Sequence, residues 1–180
     1  MYKKIIFSCF FFEIIEKYST LGRFLNGDTF SMAKLIIGDD WWTAPSEDRE
    51  GRTVMVTGRR SLDNVIASHR YVYRIEMTWE YEPDMGGMPD FATSRKMEVV
   101  TDLLHDKLRS DPVAVMTGIY TGAGERNWVF YAVTLKAFQA ALNAALKPIE
   151  EQLPLTFLAE EDPEWEEYRE MCQCEIARED

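Results

Sequence analysis

His69-Arg70-Tyr71-Val72-Tyr73-Arg74-Ile75-Glu76-Met77-Thr78-Trp79-Glu80-Tyr81 is the stretch on which the fold turns. His69, Tyr71, Tyr73, Ile75, Met77, Trp79 and Tyr81 alternate with Arg70, Val72, Arg74, Glu76, Thr78 and Glu80. Successive side chains of a strand point to opposite faces, so the pattern predicts one long strand with a greasy side and a wet side. One-sided burial belongs to an antiparallel or mixed sheet covered by helices on a single face.

The sequence downstream supplies those helices. Pro83, Gly86, Gly87 and Pro89 mark a loop, after which Thr93 or Ser94 is expected to cap a helix running to about Arg109. Met97, Val100, Thr101, Leu104 and Leu108 share one face of it, and Asp111-Pro112 ends it. Val113–Tyr120 and Asn127–Thr134 read as strands joined through Thr121-Gly122-Ala123-Gly124, a turn with glycines for positive φ. An alanine-rich helix is expected over Leu135–Ile149, then a last strand over Leu155–Ala159. Strand, helix, strand, strand, helix, strand is the ferredoxin-like βαββαβ order, an α+β class with two helices on one face of an antiparallel sheet.

Three additions frame that core. Trp41–Ala44 and Thr53–Gly58 look like a hairpin extending the sheet, and Ser61–Ala67 like a short helix or turn. Asp162-Pro163-Glu164 reads as a helix start, with Asp162 as N-cap and Pro163 in the first helical position. Trp165, Tyr168 and Met171 then share one side of a short terminal helix.

At the other end, Lys3-Lys4 precedes an apolar run from Ile5 to Phe12 that is broken by Glu13. The run is too short to cross a bilayer and lacks a nearby cleavage site of small residues. Residues 1–31 are either an added helix over Ile5–Tyr18 or the result of a start assigned too early, with Met32 the true initiator; residues 32–180 are expected to form a single domain.

The net charge of −11 is uneven. Glu160, Glu161, Asp162, Glu164, Glu166, Glu167, Glu170, Glu175, Glu179 and Asp180 face only Arg169 and Arg178 in the last stretch, which speaks against nucleic acid and for a basic protein partner. A solvated acidic face is the plain alternative. Cys9, Cys172 and Cys174 make no disulfide framework, and with His69 and His105 they give no zinc spacing, so reduced thiols in a cytoplasmic protein are expected.

No catalytic constellation emerges. Neither histidine has a nucleophile beside it in sequence, and Gly118–Gly124 joins two strands without a Gly-Lys-Ser/Thr motif. No cofactor, metal or membrane contact is expected. Two candidate surfaces remain. Trp41, Trp42, Asp162, Trp165 and Tyr168 gather aromatic and acidic groups suited to protein contact. Arg70, Arg74, Glu76 and Glu80 would project together from the uncovered side of the long strand as a small-ligand or enzymatic site. A free sheet edge also allows self-association into a homo-oligomer.

Asp40-Trp41-Trp42-Thr43, the Gly86–Asp90 loop and Asp162-Pro163-Glu164-Trp165-Glu166-Glu167-Tyr168 resemble the bacterial domain of unknown function family 695, over about residues 38–172. The terminal motif is the most specific part. The resemblance implies a ferredoxin-like α+β domain. In some members it also implies an adjoining domain similar to the regulator of ribonuclease activity B family, which inhibits a ribonuclease through protein contact. No such second domain is expected within these 180 residues. The family brings no activity and no catalytic residues. The expectation is therefore a non-enzymatic contact module.

Overall fold

The computed structural model describes residues 5–7 and 35–176. Along the chain run β1 (Ile5–Phe7), β2 (Trp41–Glu47), β3 (Thr53–Arg59), α1 (Asp63–Ile66), β4 (Tyr73–Glu80), α2 (Phe91–Ser110), β5 (Ala114–Gly122), β6 (Glu125–Ala132), α3 (Leu135–Leu146), β7 (Leu155–Glu161) and α4 (Glu166–Ile176). The strands form one sheet in the order β1-β7-β4-β6-β5-β3-β2, with every neighbouring pair antiparallel. The class is mixed α and β, and the expected order of elements from β4 to β7 is present.

Alternation in β4 works as the sequence implies. Ile75, Met77 and Trp79 are buried on a first face, together with Trp128 and Phe130 of β6. Helices α2 and α3 cover this face with Met97, Val100, Leu104, Phe138, Ala141 and Leu142. Asp90 caps α2 by accepting from the Thr93 amide at 2.8 Å, three residues before the expected cap. An aspartate before the first turn satisfies the amides that a Thr93 cap would have left exposed. Thr134 caps α3 in the same way, through the Ala137 amide at 3.1 Å. Ala123 and Gly124 take positive φ and close the hairpin between β5 and β6.

The long strand is shorter than its pattern. His69 adopts φ 50° and is exposed, and β4 begins only at Tyr73. Tyr71 is buried, but in a different cluster, where its hydroxyl donates to the Pro112 carbonyl at 2.9 Å. Period-two spacing cannot reveal a turn that carries one aromatic from one core to another.

A larger correction concerns the opposite face, expected to be uncovered. A second core fills it: Val56, Val115, Val129 and Tyr131 from the sheet meet Trp165, Tyr168 and Met171 from the α4 region. Gly58 and Gly118 are register partners on adjacent strands of this face. An added methyl at Gly58 would lie 2.4 Å from the Trp42 ring, and one at Gly118 would lie within van der Waals radii of the Met171 sulfur. The paired glycines form the hollow into which both side chains fit.

At the sheet edge, Ile5–Phe7 is a strand on β7, with Ile5 opposite Ala159 and Phe7 opposite Phe157. The helix expected over Ile5–Tyr18 therefore does not begin there; residues 8–34, with the Met32 start, lie outside the described residues.

Candidate functional site

The Asp162-to-Tyr168 stretch builds the most elaborate polar region. Helix α4 does not start at Pro163. The chain first makes a turn, Trp165 takes φ 57°, and the helix begins at Glu166. Positive φ is unusual for a bulky residue and marks a position held by its surroundings. Here the Trp165 ring stacks on Tyr131 at 3.9 Å and 9°, while its Nε1–H donates to the Tyr71 carbonyl at 2.9 Å. Asp162 still serves the helix from further back. Its carboxylate accepts from the Glu166 amide at 3.0 Å and from the Tyr131 hydroxyl.

That entry turn points Glu167 into the sheet. The Tyr120 hydroxyl donates to Glu167 Oε1 at 2.6 Å, whereas Oε2 is buried with no partner among the described residues. Burial pushes the Glu167 carboxyl above its ordinary range, against the opposing pull of Tyr120 and Arg74. Burial likewise raises the Tyr120 hydroxyl well beyond its usual range, and the negative Glu167 adds to this.

Arg74 adjoins this carboxyl but is already engaged. It donates through Nη1 to Glu160 at 2.7 Å and through Nη2 to Glu76 at 2.6 Å, while its buried Nε has no partner among the described residues. Burial opposes its charge, yet Glu167, Glu76 and Glu160 together outweigh that and hold it protonated. Three carboxyls thus surround one guanidinium. Burial shifts the third, Glu167, toward its neutral form, while Arg74 pulls the other way.

Of the expected open-face group, only Arg74 and Glu76 meet. Arg70 precedes β4 and lies by the Tyr71 ring at 5.8 Å; Glu80 is exposed at the far end of the strand. Glu160, Glu167 and Tyr120 complete the cluster. The sequence hint for them was weak, because Glu167 sits in an acidic run of which Glu161, Glu164, Glu166 and Glu170 are exposed.

The aromatic set divides differently. Trp42, Trp165 and Tyr168 are 5%, 1% and 7% exposed, so they are core residues rather than surface anchors. Trp41 is half-buried: its Nε1–H donates to Asp39 at 2.8 Å, and its ring meets His105 edge-on. Asp39 also pairs with His105 Nε2 at 2.9 Å, and these two bonds, Trp41's first, hold its carboxyl below the usual range. His105 thereby ties the segment before β2 to α2.

Between α1 and α4 lies a cleft of about 470 Å³ lined by Arg60, Tyr168, Arg169 and Cys172 among others. Arg60 is occupied by Glu175 and Asp40. Burial pushes the Cys172 thiol up, which keeps it protonated and a poor nucleophile. Among the described residues no group of His, Cys, Asp and Glu could hold a metal ion, and no helix is long and apolar enough to cross a membrane.

These features define a mixed α and β domain, its antiparallel sheet packed on both faces, with an acidic terminal helix. The chain belongs to the DUF695 family, described as a family of unknown function, which it matches over residues 40–172. No curated protein and no solved structure gave a significant match.

Proposed function

We propose that the domain is a non-enzymatic contact module for a basic protein partner, and that the outer side of α4 with the end of β7 is its contact surface. One observation carries this reading. Glu161, Glu164, Glu166 and Glu170 are exposed, and no cation among the described residues pairs with their side chains. Other stretches mix matched pairs, such as Lys96 with Glu151 and Lys107 with Asp111, with scattered exposed acids such as Glu98 and Asp102, whereas this end gathers four within ten positions. Glu166 and Glu170 stand one turn apart on the same side of the helix, where like charges repel and a cation brought from outside relieves them.

The strand order β7-β4-β6-β5 with α2 and α3 in the crossovers supports a ferredoxin-like reading of that part of the chain. Free Cys172 and Cys174 accord with a cytoplasmic setting. The alternative, a small ligand on β4, has less support. Arg74 is closed in by its own carboxylates, and the cleft lies instead between α1 and α4.

A fluorescent arginine- and lysine-rich peptide serves as the probe. Binding should weaken at least about tenfold in Glu164→Gln/Glu166→Gln/Glu170→Gln, and by a similar factor at about 0.3 M salt. Glu98→Gln/Asp102→Asn on α2 should bind as the wild type does. Equal binding by the wild type and the α4 variant would end this reading.

A further inference from the structure

The two edges of the sheet are protected by different means. β2 carries Pro45 within it, which removes a donor from that edge and discourages any further strand. β7 reads Leu-Thr-Phe-Leu-Ala-Glu-Glu, with no proline and no lysine within it. Its outer edge is filled instead by β1, a three-residue strand that precedes β2 by more than thirty positions in sequence. A single short strand makes few ladder bonds and is a weak cover for an otherwise regular edge.

We propose that the outer edge of β7 is a strand-acceptor site. It takes an extended partner segment in which two basic residues precede a short apolar run, and Ile5–Phe7 is its resident stand-in. The occupant's chemistry is written in the chain. Ile5-Ile6-Phe7 pairs with Ala159, Leu158 and Phe157, and the residues before Ile5 in sequence are Lys3 and Lys4. The next two positions of β7 in the direction that this register runs are Glu160, which already holds Arg74, and Glu161, which is exposed and is the acid left to meet the basic pair. Main-chain bonding along such an edge gives affinity, and the flanking charges give register and direction. The inference rests on the contact-module reading and names its partner as a strand. The two can fail separately, because the edge can be blocked without touching Glu164, Glu166 or Glu170.

A tethered strand competes at an effective concentration of about millimolar, so the intact chain should resist a peptide in solution. The test uses the full chain, its Ile6→Pro variant, and a labelled synthetic peptide of residues 2–8. The peptide should bind Ile6→Pro at least about tenfold more tightly than wild type. Glu161→Lys in the Ile6→Pro background should weaken that binding, and a peptide with both lysines changed to glutamate should not bind. Hydrogen exchange in β7 should be faster in Ile6→Pro and slow again when peptide is added. Equal binding to wild type and Ile6→Pro, or none to either, would overturn the proposal. A concentration-dependent dimer abolished by Ile6→Pro would overturn it too, assigning the edge to a second copy.

Discussion

The two faces of this sheet are built to different standards. The first, under α2 and α3, is an aliphatic and aromatic core in which the fully buried Trp128 donates through Nε1 to Thr101 Oγ1 at 2.8 Å. The second, under α4, is denser in aromatics and polar groups. It holds all three buried side-chain polar atoms without a partner among the described residues: Trp42 Nε1, Arg74 Nε and Glu167 Oε2. Buried polar groups are usually paired, because leaving one unmade costs about 1–3 kcal/mol. A concentration of exceptions on one side says that the first face specifies the fold, while the second tolerates local conflict.

The largest effect should come from truncating the tryptophan at the centre of either face. Trp128 is 0% exposed and Trp165 1%. Each alanine variant should lose about 3–5 kcal/mol, from lost burial and the cavity left behind. The comparison sharpens in hydrogen exchange. Trp128→Ala should raise exchange throughout the sheet, whereas Trp165→Ala should first release α4 and leave β4, β6 and α2 protected. Uniform loss of protection in both variants would show that the two faces fold as one unit.

Next comes the glycine hollow. Gly58→Ala places a methyl 2.4 Å from the Trp42 ring, and that indole is 5% exposed with little room to move. Overpacking of this kind costs about 1–3 kcal/mol. The denaturation midpoint should fall accordingly, with Trp42 fluorescence changed in the folded state. An unchanged midpoint would mean that β2 shifts freely, and that the second face is looser than its burial implies.

How much of this was legible follows the same division. The first face could be read, since Ile75, Met77 and Trp79 repeat at two and Met97, Val100 and Leu104 at three and four, and local period reports burial on a regular element. The second face could not, because its members come from irregular places. Tyr71 precedes its strand, Trp165 sits at a positive φ, and Gly58 meets Gly118 through pairing between strands far apart in sequence. The aromatic set around Trp42, Trp165 and Tyr168 was recognisable as unusual. Trp165, Tyr168 and Met171 could be read as one side of a terminal helix, and they are buried together. What could not be read is that this side covers the second face of the sheet, because no local pattern names the surface a helix packs on. Glu167 was hidden because nothing in a run of acids marks which of them turn inward, as Asp162 and Glu167 do, and which stay exposed, as Glu164 and Glu166 do.

Glu167 gives the smallest and most specific test of the contrast. Its folded pKa is raised, chiefly by burial, above the ordinary value that it has in the unfolded chain. The folded state therefore keeps this proton when the unfolded state has lost it, so the stabilisation present at low pH is lost as pH rises through the raised value. The sign is opposite for Asp39, whose lowered pKa adds stability as pH rises above its folded value. A pH profile of the wild type alone mixes the two. Glu167→Gln keeps the acceptor for Tyr120 and cannot ionise, so its stability relative to wild type should grow from about pH 4.5 upward, by at most about 1.4 kcal/mol per pH unit. Urea midpoints for both proteins across that range measure the difference. A difference that stays constant with pH would mean that Glu167 is charged throughout. Arg74 would then serve it as well as it serves Glu76 and Glu160, and the second face would carry no more electrostatic conflict than the first.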